Sequence, residues 1–517
     1  MTPALASVSN WIIAVAAMLA TFMEILDVSI ANVALNHIRG SLSAGVDEVT
    51  WVLTTYLIAN AIVIPITGWL MDVLGRKRLF IISVGIFTLS SIAAGAAPTL
   101  ELLVLARIFQ GLGGGSLIPL SQAIMMETFP RRQQGMAMAF WGVGIMVAPI
   151  VGPTLGGWIT DNWSWRWIFY INVPVGAVTI FLGQLFLSDP PGLRRAIRRI
   201  DAWGLLLLAV GIGALQFVLD RGQREDWFNS PLVIQLSVVS LLALVLFVFR
   251  ELSTSEPVVD LRVLRHRTFA VGTGMIALMS VGLYGAVVLS PLYTQLVMGY
   301  TPLWAGLVLA PGGIATMITM PLAGVLINRI DPRWVLGVGV AIAALAMSLM
   351  AGLTLEANFW RIMWPRFVQG LGMGLMFVPL TTVALGAVAR AELGHASALY
   401  NVMRNLGGSV GIALMSTFLQ RGAQTHQARL VGHVSLYDAE TWQRVHDLAS
   451  RFIARGTDAV TAQQQAWGAL YATVQKQALF LSFLDDFWRL SWIFLLLIPF
   501  LLLMGRPRAL PESGGGE

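Results

Sequence analysis

The 517-residue chain contains no cysteine, so neither a disulfide nor a thiolate metal site can brace it, and thiols say nothing about its redox compartment. Charge is the second shortage. Asp, Glu, Lys and Arg make up 12% of the residues, about half the usual share of a soluble domain. That is too little to clothe a soluble protein of this size, and with 56% hydrophobic residues the chain needs lipid as solvent for much of its surface. No GxxxxGK[ST] phosphate loop occurs, which argues against an ATP-driven machine. The histidines (His37, His266, His395, His426, His433 and His446) are scattered or in loops and form no constellation for an integral-membrane enzyme or a metal site. A cleavable signal peptide is not expected, because residues 1–10 hold no Lys or Arg and the first apolar run is long and contains acids. The net charge of +6 could suggest nucleic acid, yet the basic residues fall between apolar runs, which is a topology signal.

What the chain does have is a series of apolar stretches near the length of about 20 residues that crosses a bilayer. Spans are expected near 11–36, 48–72, 79–97, 101–127, 136–160, 165–188, 203–219, 231–250, 268–298, 302–328, 334–353, 359–388, 395–418 and 489–504. An even number puts both termini on one side. Arg76, Lys77, Arg78, Arg131, Arg132, Arg194, Arg195, Arg198, Arg199, Arg250, Arg262, Arg265, Arg267, Arg329, Arg333, Arg390, Arg506 and Arg508 would share the side of the termini. The short loops opposite are read as holding Arg39, Arg221 and Arg224. Such asymmetry marks the first side as cytoplasmic. One outer segment, 419–488, is polar and long, and reads either as a solvated helical hairpin or as a docking surface for an outer-side partner.

Two segments repeat. LARIFQGLGGGSLIPLS and PRFVQGLGMGLMFVPLT both read Arg-x-x-Gln-Gly-Leu-Gly-x-Gly followed by Pro-Leu, with Arg107 and Arg366 in the lead. PITGWL at Pro65 and PLAGVL at Pro321 match at nearly the same offset. The expected architecture is therefore all-α: a six-helix bundle over 1–188, a linker with two inserted spans over 189–267, and a second six-helix bundle over 268–517 that carries the 419–488 insertion. The copies run in the same direction, a parallel repeat that places a binding site between the halves near the midplane.

Ionisable groups at membrane depth are costly and mark function by default. Glu24 and Asp27 lie three residues apart on the first span and share a face. Asp27 falls roughly 24 Å along its helix, and Arg107 about 9 Å in from the opposite end of the antiparallel fourth span, so the two depths match and an ion pair is expected. Arg366 and Arg404 are the cations of the second half, with Arg404 at mid-span. Glu127, beside Pro130, Arg131 and Arg132, is expected in an ion pair at the cytoplasmic interface. On the fifth span Gly144, Ala148, Gly152 and Gly156 recur every four residues and leave one face open to a neighbouring backbone, while Pro149 and Pro153 favour a kink. A roomy apolar site with few polar groups would draw on Tyr56, Asn60, Gln122, Trp141, Tyr284, Tyr293, Phe377, Asn401 and Arg404, although ordinary packing is the alternative for each.

These residues resemble a known family. GWLMDVLGRKR, with Asp72, Gly75, Arg76, Lys77 and Arg78, resembles the signature loop between the second and third spans of the major facilitator superfamily. ARIFQG is similar to its fourth-span arginine motif, and APIVGPTLGG, with Gly152, Pro153 and Gly156, to its fifth-span antiporter motif. LDVSIANVAL and WRWIFYINVPVG resemble the fourteen-span drug:proton antiporters of that superfamily. The resemblance implies proton-driven export of small hydrophobic compounds with no cofactor, and no nucleic-acid partner. Asp27, Glu24 and Arg107 would couple protons, and the loop and fifth-span residues, with Arg366, would serve conformational change. It further implies a bacterial inner membrane, a periplasmic adaptor of the EmrA type at 419–488 and an outer-membrane channel of the TolC type. A symporter or single-metabolite exporter on the same fold stays open.

Overall fold

A computed structural model describes residues 3–189, 201–254, 256–435 and 437–504. Arg194, Arg195, Arg198, Arg199, Arg506 and Arg508 lie outside the described residues. The helices that carry the architecture are α1 (Pro3–Ser41), α2 (Trp51–Leu74), α3 (Arg76–Ala96), α4 (Leu100–Thr128), α5 (Arg131–Asn162), α6 (Trp167–Phe186), α7 (Ala202–Arg221) and α8 (Pro231–Ser253). They continue with α9 (Arg267–Val297), α10 (Pro302–Leu326), α11 (Pro332–Ala351), α12 (Phe359–Gly386), α13 (Leu393–Val431) and α14 (Ala459–Leu495), which a short helix, Leu497–Leu503, extends. Among the described residues twelve helices are long and apolar enough to cross a bilayer, and α5, bent between Pro149 and Thr154, makes a thirteenth. The fourteenth is α13. It is less apolar because it carries Asn401, Arg404 and Asn405 and ends in a polar extension, but residues from Leu393 to Leu419 bury against α2, α4, α9 and α14.

The internal repeat is visible in the packing. Within the first half α1 packs on α5 and α6, α2 on α4, and α3 on α4 and α6. The second half repeats each pair eight helices later: α9 on α13 and α14, α10 on α12, and α11 on α12 and α14. The halves meet through α2 with α13 and through α10 with α5, which are the same contact exchanged between halves. The inserted α7 and α8 pack on each other, and α7 lies over the α2–α13 seam. There Thr54 donates to Asp220 at 2.7 Å and Ser409 donates to Gln216 at 3.0 Å.

The repeated motif explains its own glycines. A Cβ on Gly111 would stand 2.5 Å from the Tyr56 carbonyl oxygen, and one on Gly370 would stand 1.9 Å from that of Gly312. In each half this glycine is where the motif helix crosses its neighbour with backbone against backbone.

The polar 419–488 segment is largely helix. α13 runs unbroken past 419 to Val431, and α14 starts at Ala459, with its side chains mostly buried from Ala478 onward rather than from the expected 489. Asp458 caps α14 by accepting from the amides of Val460 and Thr461. Between them the helix Ala439–Ile453 buries Thr441 and Val445, with Val445 packed on Ala466 and Leu470 of α14. A hairpin therefore projects as a continuation of two spans.

Substituting Gly370 by Val should lower stability by roughly 1–3 kcal/mol through overpacking. Gly157→Ala, whose Cβ meets nothing within 4 Å, should leave it unchanged. Thermal unfolding of the two purified variants in detergent compares them.

Candidate functional site

The N-terminal end of the first half is organised around one carboxylate. Asp27 on α1 is buried, and its Oδ2 pairs with Nη1 of Arg107 on α4. Arg107 also donates through Nε to the Val52 carbonyl on α2 at 3.0 Å and through Nη1 to Gln110 Oε1 at 2.8 Å. Its guanidinium lies 4.3 Å from the Tyr56 ring centroid and 5.7 Å from that of Phe169. The other oxygen, Asp27 Oδ1, accepts from Gln110 Nε2 at 2.8 Å and from Asn172 Nδ2 on α6 at 2.9 Å. A charged side chain at the centre of a membrane helix costs about 2.5–3.5 kcal/mol even on the lowest scales. Three partners from two helices offset that cost here.

One turn deeper, Glu24 accepts from Asn60 of α2 through Oε1 at 2.8 Å, and its Oε2 is buried without a partner. The positive charge of Arg404, from α13 of the second half, acts on Glu24 across the seam. Nearby across the same seam, Gln122 of α4 accepts from Asn401 Nδ2 at 2.5 Å and from Ser397 Oγ at 3.2 Å, and Ser397 donates to the Pro119 carbonyl at 2.7 Å. Gln122 Nε2, Asn401 Oδ1 and Arg404 Nε remain buried and unpartnered. Unsatisfied buried polar atoms cost free energy and call for an explanation; a cluster of them between two halves is the arrangement expected of a site that a ligand completes. Trp141 of α5 donates to Thr21 Oγ1 at 3.0 Å and stacks on Phe377 of α12, with ring centroids 6.3 Å apart. It thus forms an aromatic wall shared by both halves.

At the arginine-rich end the halves are latched. His395 of α13 lies 3.0 Å from Asp72 of α2. Arg76 forms a two-pronged ion pair with Glu127, 2.8 and 3.1 Å, tying the start of α3 to the end of α4, as expected for Glu127. Gly75 adopts φ +81°, and a Cβ there would meet Asp189 Oδ2 at 2.7 Å, so glycine is required at this turn. Arg78 is exposed. Gly135 of α5 crosses Gly324 of α10, and Asn328 donates to the Arg132 carbonyl at 3.0 Å. The small-residue stripe of α5 faces α1: Gly144 meets Met18, Gly152 meets Ser29 and Gly156 meets Ile30. It therefore lies against the helix that carries both acids. The side chain of Pro153 lies outside the described residues.

Not every expected residue gathers here. Tyr284 packs on Gly408 of α13, and Tyr293 sits among Phe480, Phe483 and Phe487 of α14, inside the second half. Arg366 bonds Gln369, the counterpart of Gln110 in the repeat, with its Nε unpartnered. Four residues were not singled out as site residues by sequence reasoning: Ser91, Gln110, Asn172 and His395. Gln110 had a signal, the repeated Arg-x-x-Gln, and Asn172 stood as a polar interruption in an apolar run.

Comparison with known proteins agrees with this geometry. The family model of the Major Facilitator Superfamily matches residues 17–412. The multidrug export protein EmrB of Escherichia coli K12 is 37% identical over 98% of this chain and 97% of its own length. The fatty acid resistance protein FarB of Neisseria gonorrhoeae is 36% identical over 96% of each chain. Among solved structures, the proton:xylose symporter XylE superposes with a TM-score of 0.62 at 14% identity, covering 97% of both chains, and the human organic anion transporter MFSD10 with 0.60 at 14%, covering 95% and 99%. With its two six-helix halves, its latched signature loop and a family match over most of its length, this chain belongs to the major facilitator superfamily of membrane transporters.

Proposed function

We propose that the protein is a proton-coupled antiporter that exports hydrophobic drugs and other toxic small molecules across a bacterial inner membrane. The observation that carries this reading is the buried Asp27–Arg107 pair, set one helical turn from a seam of unsatisfied polar groups. The likeness to EmrB over nearly the whole chain supports the cargo class.

In this reading the arginine-rich end faces the cytoplasm, as the positive-inside rule requires, and both termini lie on that side. The latch at Asp72 and His395 then closes the cytoplasmic face. Ionised Asp27 holds α1 to α4 through Arg107. A proton arriving from the outer side removes the charge that Arg107 pairs with, loosens α1 against α4 and α5, and lets the halves rock toward the cytoplasm. Cargo enters there or from the inner leaflet and meets Glu24, Asn60, Gln122, Asn401 and Arg404, with Tyr56, Trp141 and Phe377 as apolar surface. Loss of the proton inward resets the pair.

The energetics suffice. One proton crossing 100 mV releases about 2.3 kcal/mol, and one pH unit adds about 1.4 kcal/mol. Together they sustain a gradient of several hundredfold for an uncharged cargo. The outer hairpin, built from the ends of α13 and α14, is the surface offered to a periplasmic adaptor of the EmrA type, which would lead to an outer-membrane channel of the TolC type.

Two measurements test this. In everted vesicles Asp27→Asn should cut proton-coupled drug efflux at least tenfold while leaving drug binding measurable; undiminished efflux would sink the role of Asp27. Deleting Ala439–Ile453 should leave vesicle transport intact but remove drug resistance in cells that express the adaptor. Full resistance in those cells would show that the hairpin is not the adaptor surface.

A further inference from the structure

The structure assigns the proton to one oxygen of Asp27 and makes Asn172 and Ser91 the positioning residues that dictate the choice. This rests on the reading of Asp27 as the proton carrier, and adds where the proton binds and what sets its affinity.

Ser91 Oγ lies 2.8 Å from the Phe169 carbonyl oxygen. A carbonyl oxygen only accepts, so Ser91 must spend its single O–H there, and its oxygen is left purely as an acceptor. Two amides face that oxygen: Asn172 Nδ2 at 3.0 Å and Gln110 Nε2 at 3.3 Å. Both must therefore present N–H, which removes the usual freedom of an amide to turn over. The same two nitrogens reach Asp27 Oδ1, at 2.9 and 2.8 Å. Each NH2 group thus bridges Ser91 Oγ and Asp27 Oδ1, and all four amide protons are used. Gln110 Oε1 accepts from Arg107, which agrees with this orientation.

Consequently Oδ1 faces two N–H donors whose directions are locked by a serine that cannot turn. A proton on Oδ1 would point an O–H at donors and find no acceptor. Oδ2, whose protein partner is Arg107, is the only oxygen at which protonation leaves the amide ring intact. The proton adds to an Oδ2 lone pair, breaks the ion pair without breaking the ring, and departs from the same atom. Every change of protonation is thereby delivered to the α1–α4 contact. The ring, from α3, α4 and α6, is unchanged by this step, so Arg107 alone senses it.

The test uses full-length protein in proteoliposomes. The Asp27 carboxyl C=O stretch is followed by infrared difference spectroscopy against pH, together with the pH profile of efflux. Asn172→Leu keeps the volume and deletes one donor. Losing one hydrogen bond to a charged group should move both the titration midpoint and the efflux profile by about one to two pH units toward alkaline. Ser91→Ala, which frees both amides to turn, should move them the same way by a smaller amount. Glu24, one turn away, and Tyr56, under the Arg107 guanidinium, are the other titratable groups beside this pair; the Asp27 band is therefore taken as the difference between each variant and the same variant carrying Asp27→Asn, and it should stay single. If Asn172→Leu and Ser91→Ala lower only the yield of folded protein while both midpoints stay in place, the residues are structural and the inference fails, with Asp27 still the carrier. If Asp27→Asn removes no titrating band from the spectrum, the carrier reading itself fails, a separate and recognisable outcome.

Discussion

A carboxylate held in the membrane interior is tolerated only if donors from the protein replace the water it gives up. Asp27 meets that demand with an arginine from α4, an amide from α4 and an amide from α6. Much of the first half follows from it. The α4 motif must bring Arg107 and Gln110 to one face, which their i, i+3 spacing does. α4 must also cross α2 closely enough for Arg107 to reach the Val52 carbonyl, which the bare backbone at Gly111 allows. The small residues of α5 let α1 lie flush against it, so the acid-bearing helix is gripped on one side by packing and on the other by charge.

The second half shares this framework without the charge at its centre. It keeps the motif arginine, the glutamine three residues on and the glycine crossing, in Arg366, Gln369 and Gly370. But α9 to α13 contain no Asp or Glu in the sequence, so Arg366 has no carboxylate among the neighbouring helices. The first half sets a buried acid beside its motif arginine. In the second half the buried acid, Asp486, lies on α14 with Arg489 instead, and Asn401 and Arg404 sit on α13 at the seam. The two like scaffolds thus differ in where a buried carboxylate is placed.

Much of this was legible in the sequence because lipid imposes strong rules. Length and apolarity give spans, and a motif repeated in one direction gives two like halves. The depth match of Asp27 and Arg107 gave their contact, since two antiparallel helices of known rise must bring equal depths together. Three things were less accessible. The span at 395–418 was legible, but the unbroken run of α13 to Val431 and the start of α14 at Ala459 were not, because helices leaving lipid turn polar. Aromatic residues cannot be assigned to a face of the bundle by type, so Tyr293, packed in the second half, looked the same as Trp141, which faces the seam. Neutral amides such as Asn172 carry no depth signal of their own, and only the fold shows that α6 turns this one toward Asp27 rather than toward lipid.

The geometry of α13 links these regions. Its 39 residues form one unbroken helix, about 58 Å long at 1.5 Å per residue. Near its start His395 meets Asp72 at the latch. Two turns on, Asn401 meets Gln122, and Arg404 follows at the seam with Glu24. Further out Ser409 and Thr417 bond Gln216 and Gln223 of the inserted segment, and the far end enters the hairpin, where His426 meets Asp485 of α14 at 2.8 Å. An unbroken backbone hydrogen-bond ladder couples these levels, so a tilt at one is passed to the others. A displacement of α13 at its His395 end therefore carries with it the polar partners at the seam and the hairpin at its far end, so one continuous helix joins three levels of the molecule.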